Sequence, residues 1–205
     1  MTNAALKYTW SYSSLDMFKQ CPHKYYRLRV KKDVVDPPSD AILYGNEAHK
    51  AAEEYIKNGT SIPEKFAFMQ KSLDVLKAKD GEKLCEFRMG LTYQLEPCDF
   101  FDRRVWWRGI ADLIVLQPDR AWIVDYKTGK SSKYADVKQL ELMALGIFKH
   151  FPQVKKVKGG LLFVVCKEFI KESYTIDDEP RLWKKWMDKH GKLKLAYANG
   201  VWNPN

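Results

Sequence analysis

Asp112 and Asp125 stand equidistant from the turn Gln117-Pro118-Asp119-Arg120, and Lys127 follows the second carboxylate by two residues. Pro at the second turn position and Asp at the third suit a type I turn, so 111–116 and 121–127 read as the two strands of one hairpin. In that register Ile114 opposes Ile123, and Asp112 opposes Asp125. Alternation then places Asp112, Ile114, Ile123, Asp125 and Lys127 on one face, and Leu113, Val115, Trp122, Val124 and Tyr126 on the other. Two carboxylates opposed at roughly 5 Å repel unless a cation or a proton lies between them. A divalent metal meets that need. Hard oxygens hold Mg²⁺, the ion polarises a phosphate and lowers the pKa of a bound water, and the Lys127 ammonium stabilises the negative charge that develops. The chemistry is metal-dependent phosphodiester hydrolysis. A structural salt bridge between Lys127 and the aspartates is the plainer reading of the same three residues.

The elements that must position these groups follow from periodicity. Residues 11–30 read as a helix capped by Ser13 or Ser14 and interrupted near Pro22. Asp36-Pro37-Pro38-Ser39 is a loop, and a helix over 41–57 ends at Asn58-Gly59. Another helix starts at Pro63 and lasts to about Lys79, where Asp80-Gly81 closes it. Residues 83–96 alternate as a strand, and 105–116 and 121–127 complete three antiparallel strands. Val137, Leu140, Ala144, Ile147 and Phe151 recur at helical spacing, 157–166 is an apolar strand, 169–176 is its hairpin partner or an edge strand, and 180–197 is a terminal helix. The expected fold is α/β (α+β): a central mixed sheet flanked by helices. One domain over 1–205 is expected, with a mainly helical part (1–80), a sheet core (81–177) and a C-terminal helix (178–205).

Composition narrows the partners. Hydrophobic residues at 45% and charged residues at 30% suit a globular chain, and no apolar run approaches the roughly 18 residues a membrane helix requires. Met1 to Lys7 lacks a basic segment followed by an apolar core, so the expected location is cytoplasmic, with no membrane partner. Cys21, Cys85, Cys98 and Cys166 are scattered and form no C-x-x-C pair, which predicts reduced thiols. A formal net charge of +9 favours a polyanionic partner.

Gly109-Ile110-Ala111-Asp112 followed by Asp125-Tyr126-Lys127-Thr128-Gly129-Lys130 resembles the signature of the PD-(D/E)XK nuclease superfamily. More narrowly it resembles the branch holding the nuclease domains of the bacterial RecB and AddB recombination proteins, the CRISPR-associated nucleases and related phage exonucleases. Ser11 to Leu15 with Cys21 to Tyr25, Gly45 to His49, and Gln139 fit the same family in order, so the resemblance spans most of the chain. It implies a restriction-endonuclease-like αβββαβ core with N-terminal helical additions. It also implies that Asp112, Asp125, the backbone carbonyl of Tyr126 and His49 hold a catalytic Mg²⁺ or Mn²⁺; an imidazole beside hard carboxylates admits either ion. Lys127 would position or activate the attacking water, and Gln139 would orient Lys127 or contact the DNA backbone. The tyrosine of the family's Q-x-x-x-Y motif is replaced by Met143. Glu86 is either a carboxylate behind the metal ligands or an ordinary exposed strand residue. Many relatives bind a four-iron cluster through the N-terminal cysteine and three near the C-terminus. The chain ends at Gly200-Val201-Trp202-Asn203-Pro204-Asn205 without that trio, so no iron–sulfur cluster is expected and Cys21 reads as a small buried apolar residue.

DNA contacts are expected from Lys130, Lys133 and Lys138 after the catalytic strand, and from Lys7, Lys19, Lys24, Arg27, Arg29, Lys31 and Lys32 in the N-terminal helices. In the terminal helix, lysines interleave with Trp183, Trp186 and Tyr197. Those aromatics would either stack on bases of a single strand or pack with Leu182 and Leu193 on the core. The expected function is a metal-dependent deoxyribonuclease, an exonuclease in recombination, repair or phage DNA metabolism. The alternatives are a flap-type endonuclease of the same fold and a DNA-binding subunit without activity.

Overall fold

The computed structural model describes residues 8–204. Lys7 and the segment read above for a signal lie outside them. The elements run α1 (Tyr12–Gln20), α2 (Pro22–Tyr25), a wide π-type turn (Tyr26–Lys31), α3 (Asp40–Asn58), a 3₁₀ segment (Glu64–Met69), α4 (Gln70–Ala78), β1 (Glu82–Leu91), β2 (Pro97–Cys98), β3 (Trp107–Leu116), β4 (Arg120–Lys127), α5 (Lys138–His150), β5 (Lys156–Phe163), β6 (Glu168–Thr175) and α6 (Glu179–Asn199).

The sheet has the order β2-β1-β3-β4-β5-β6. Neighbours are antiparallel except β4 and β5, which run parallel across the α5 crossover. This is the mixed sheet flanked by helices that the periodicity predicts. The hairpin register is also as predicted, with Ile114 paired to Ile123 and Gln117 N–H donating to the Arg120 carbonyl to close the turn.

Several boundaries differ for local reasons. Ser11, not Ser13 or Ser14, caps α1: its hydroxyl accepts from the Ser14 amide while the Ser14 hydroxyl accepts from the Ser11 amide. Cys21 is half-buried rather than buried, and its Sγ accepts from the Lys24 amide at the start of α2. The helix expected from Pro63 begins as a 3₁₀ segment and becomes α-helical only at Gln70. The strand expected to reach Glu96 stops at Leu91, because the Thr92 and Glu96 backbones close a turn that returns the chain as β2.

The sheet separates two apolar layers. Beneath α5 and α6 lie Met89, Leu91, Trp106, Trp107, Ile114, Ile123, Leu140, Trp183 and Trp186; beneath α3 and α4 lie Ala48, Ala52, Leu73, Leu113, Val115, Val124 and Tyr126. Each large apolar side chain so buried contributes about 1.5–3 kcal/mol. Trp183 is 6% and Trp186 2% exposed. These two pack in the core, as the second reading of the terminal helix expects, whereas Tyr197 is half-buried and stacks on Tyr8.

Candidate active site

The catalytic face is shaped by a break in strand alternation. On β1, Leu84 and Phe87 pack in the α5–α6 layer while Cys85 packs under α3; on β3, Ala111 and Ile114 share the first layer while Leu113 lies in the second. Strict alternation forbids two residues three apart from sharing a layer. The parity therefore changes at Glu86 and Asp112, which face each other between the pairs Cys85↔Leu113 and Phe87↔Ala111. Glu86 has φ 49°, a left-handed conformation that costs a side-chain-bearing residue about 1–2 kcal/mol. Such strain concentrates at functional sites.

Simple alternation places Asp112 on the face of Asp125; the change of parity moves it to the other. The β3–β4 ladder ends at Leu113↔Val124, one step before the two aspartates would pair. The Asp112 carboxylate takes over the next rung: its Oδ2 accepts from the Tyr126 amide at 2.7 Å. The same oxygen lies 3.3 Å from Nδ1 of His49 on α3.

α3 can bring His49 this close because the residues beneath it are small. Ala48 and Ala52 are fully buried against the sheet, and a Cβ at Gly45 would already sit 3.4 Å from the Thr128 hydroxyl. His49 Nε2 lies 2.9 Å from the Tyr126 carbonyl oxygen. With the proton on Nε2, the imidazole donates to that carbonyl and turns the Nδ1 lone pair toward Asp112, the arrangement of a metal-ligating histidine. His49, Glu86 and Asp112 each offer one donor atom, all within 4.8 Å of one another. Glu86 is thus a member of the metal-competent group. The signal for it was an acid set between the apolar Cys85 and Phe87.

Asp125 and Lys127 form the other half of the site. Asp125 Oδ2 is buried and lies 2.7 Å from Lys127 Nζ, in ion-pair contact but off the hydrogen-bonding direction. Lys127 Nζ also donates to Gln139 Oε1 at 3.2 Å, so the second residue of α5 fixes the ammonium from across the sheet. The Tyr126 carbonyl faces the cluster through its contact with His49.

The electrostatics suit a cation. Burial and the charge of Asp112 push the Asp125 carboxyl above its ordinary value, against Lys127 and His49. Burial and Asp112 do the same to Glu86. Burial works against a charged His49, but the hydrogen bond and charge of Asp112, the charge of Asp125 and the Tyr126 carbonyl outweigh it and raise its pKa. Crowded carboxylates that take up protons, beside an imidazole that gains one, have the donor chemistry a divalent ion would satisfy. The residues fit the ion.

The remaining expected DNA contacts are dispersed. Lys130 and Lys133 are exposed on the loop after β4, whereas Lys138 opens α5 and pairs with Asp136 at 3.3 Å. Met143, in the tyrosine position, packs toward Gly109, where an added Cβ would meet its Sδ at 3.2 Å. Lys24 pairs with Asp36, and Arg27 and Lys31 pair with Asp33. No helix among the described residues is long and apolar enough to cross a membrane.

A solved structure of a protein from Eubacterium rectale, provisionally described as an exonuclease, is 12% identical, with 96% of this chain and 84% of that chain covered and a TM-score of 0.56. That likeness shows the fold alone. A second structure, of SSO0001, is 17% identical over 91% of this chain and 78% of that one, with a TM-score of 0.45. No curated protein sequence matches the chain. The profile of the PD-(D/E)XK nuclease superfamily matches residues 9–202, nearly the whole chain: the chain belongs to the PD-(D/E)XK nuclease superfamily.

Proposed function

We propose that the chain is a divalent-cation-dependent deoxyribonuclease that degrades DNA from its ends. The observation that carries this reading is the convergence of His49, Glu86 and Asp112 within 4.8 Å beside the buried Asp125–Lys127–Gln139 chain. A Mg²⁺ or Mn²⁺ ion held by His49, Glu86 and Asp112, with Asp125 and the Tyr126 carbonyl alongside, supplies Lewis acidity at the phosphate and a water of lowered pKa. The chain's own residues do the rest. Lys127, pinned between Asp125 and Gln139, presents an ammonium to the charge that builds on the phosphate oxygens, and no reorganisation is needed at the moment of reaction. The Tyr126 amide holds Asp112 in place, and His49 is oriented by the Tyr126 carbonyl. The preference for ends is supported by the resemblance to phage-type exonucleases and by the description given to the Eubacterium rectale protein. Recombination, repair or phage DNA metabolism are the processes this activity would serve.

The test is incubation of the purified chain with linear and closed-circular DNA in Mg²⁺, Mn²⁺ or EDTA. Degradation of linear DNA alone, abolished by EDTA and by Asp125→Ala, is expected. Nicking of closed circles moves the reading to a structure-dependent endonuclease, and cutting in EDTA overturns it.

A further inference from the structure

Beyond the metal cluster, one sheet face carries no helix and is covered only at its Gly90 end, by the segment 98–105. Glu86, Arg88 and Gly90 on β1 share that face with Arg108, Ile110 and Asp112 on β3, with Arg88 paired to Ile110 and Gly90 to Arg108. The opposite side chains, Met89, Leu91, Trp107 and Ala111, are buried in the α5–α6 layer. On the open face the Arg88 guanidinium lies 5.7 Å from the rings of Phe100 and Phe101, and that of Arg108 lies 5.0 Å from Phe100. Phe101 is 70% and Ile110 37% exposed. Past Arg108 the face opens into a cleft of about 550 Å³ whose charged lining residues are Arg29, Lys32, Arg103 and Arg108, with no carboxylate among them. The side chains of Arg29, Lys32 and Arg103 make no ion pair or hydrogen bond among the described residues, in contrast to those of Lys24, Arg27 and Lys31 nearby. Four cations without counter-charge around a polar cleft focus a positive potential there, which draws an anion in.

We infer that this cleft and the ring-lined face leading to it form a subsite for one nucleic-acid strand, holding its phosphates upstream or downstream of the bond cut at Asp112. The inference rests on the nuclease reading. Arg108 precedes Asp112 by four residues, about 13 Å along the strand at roughly 3.3 Å per residue. Taking the stacked rise of about 3.4 Å per nucleotide as the lower limit for an unpaired strand, that span holds at most about four nucleotides from the scissile phosphate. Exposed Phe101 beside Arg88 suits an unpaired base, which can stack on a ring only when freed from a duplex. Single-stranded substrate therefore fits the face better than duplex.

The test is fluorescence anisotropy of labelled oligothymidylates of about four to about twelve nucleotides, and of a duplex, with the full chain in EDTA. Arg29→Ala/Arg103→Ala should weaken the longer single strands roughly tenfold and reduce the salt slope by about 1.4, the loss of two phosphate contacts. Phe101→Ala should weaken them at least about fivefold while affecting duplex less. Lys155→Ala/Lys156→Ala removes equal charge at the start of β5, far along the sheet, and is expected to do neither. Equal losses from the cleft and control pairs, or unchanged binding in the cleft pair, overturn the inference even if cleavage persists. Wild-type protein that binds DNA but cuts none in Mg²⁺ overturns the nuclease reading alone, and the cleft is then judged on binding.

Discussion

Glu86 faces Asp112 across β1 and β3, and both strands change parity at that point. The pair is unfavourable by itself: burial and the Asp112 charge both raise the Glu86 pKa. A ligand role and a structural role thus predict opposite signs for one substitution. Glu86→Gln is expected to raise the melting temperature in EDTA, by the equivalent of up to about 1 kcal/mol, because a like-charge pair is removed. In saturating Mg²⁺ or Mn²⁺ it should melt below wild type, because the ion no longer binds the folded chain with full affinity. An ion at about a hundred times its Kd adds roughly 2.7 kcal/mol. Differential scanning calorimetry with and without metal reads both signs; the same sign in both conditions removes Glu86 from the ligand set.

Lys127 and Gln139 make a second prediction. The ammonium has two partners, Asp125 at 2.7 Å and Gln139 Oε1 at 3.2 Å, and only the glutamine comes from outside the strand. Lys127→Ala should lower kcat on DNA by about 10²–10³, the loss of a preorganised charge at the transition state. Gln139→Ala should cost roughly tenfold, since Asp125 still holds the amine, and should leave KM nearly unchanged. A Gln139→Ala effect confined to KM would instead place Gln139 on the DNA backbone.

Sequence made the hairpin legible because its turn chemistry and strand periodicity agree, and the order Asp112, Asp125, Lys127 followed directly. Gln139 was legible through the family motif, and the structure puts it on Lys127. Two features were not. The role of Glu86 depends on a positive φ in mid-strand, a conformation no periodicity reveals, and that irregularity also moved Asp112 off the face of Asp125. Trp10 pairs with Trp107 beyond the end of β4, a contact between residues far apart in the chain that local patterning cannot specify. The basic N-terminal helices read as one cluster in sequence; the fold divides them into cations paired with Asp33 and Asp36 and cations left for the cleft.

Gly146 gives a packing prediction. It sits on the buried face of α5, where an added Cβ would lie 2.9 Å from Met89 Sδ and 2.9 Å from the Trp107 ring. Alanine favours a helix over glycine by about 1 kcal/mol, while overpacking a dense core costs about 1–3 kcal/mol. Met89 can yield, but Trp107 is fully buried and cannot. Gly146→Ala should therefore be destabilising by up to about 2 kcal/mol in urea titration, the reverse of its effect on an exposed helix; a stabilised variant would show that α5 can lift from β3.

His190 supplies the pH dependence. It is 2% exposed, its Nε2 lies 2.9 Å from the Tyr8 hydroxyl, and it packs against Trp10 and Trp106. Burial, then Lys194, push its pKa down from 6.5 to about 4. The folded chain thus keeps this imidazole neutral where the unfolded chain protonates it. The neutral-histidine contribution is fully present above the unfolded value, and it is lost as pH falls from about 6.5 to about 4, below which both states are charged. The loss can reach about 1.4 kcal/mol per pH unit within that window. Carboxylates also titrate at its lower end, so the measurement is a comparison: urea midpoints of wild type and His190→Gln at intervals from pH 7.5 to 4 should diverge at high pH in favour of wild type and converge as pH falls. Parallel curves across the window would mean that His190 titrates alike in both states and that burial does not hold it neutral.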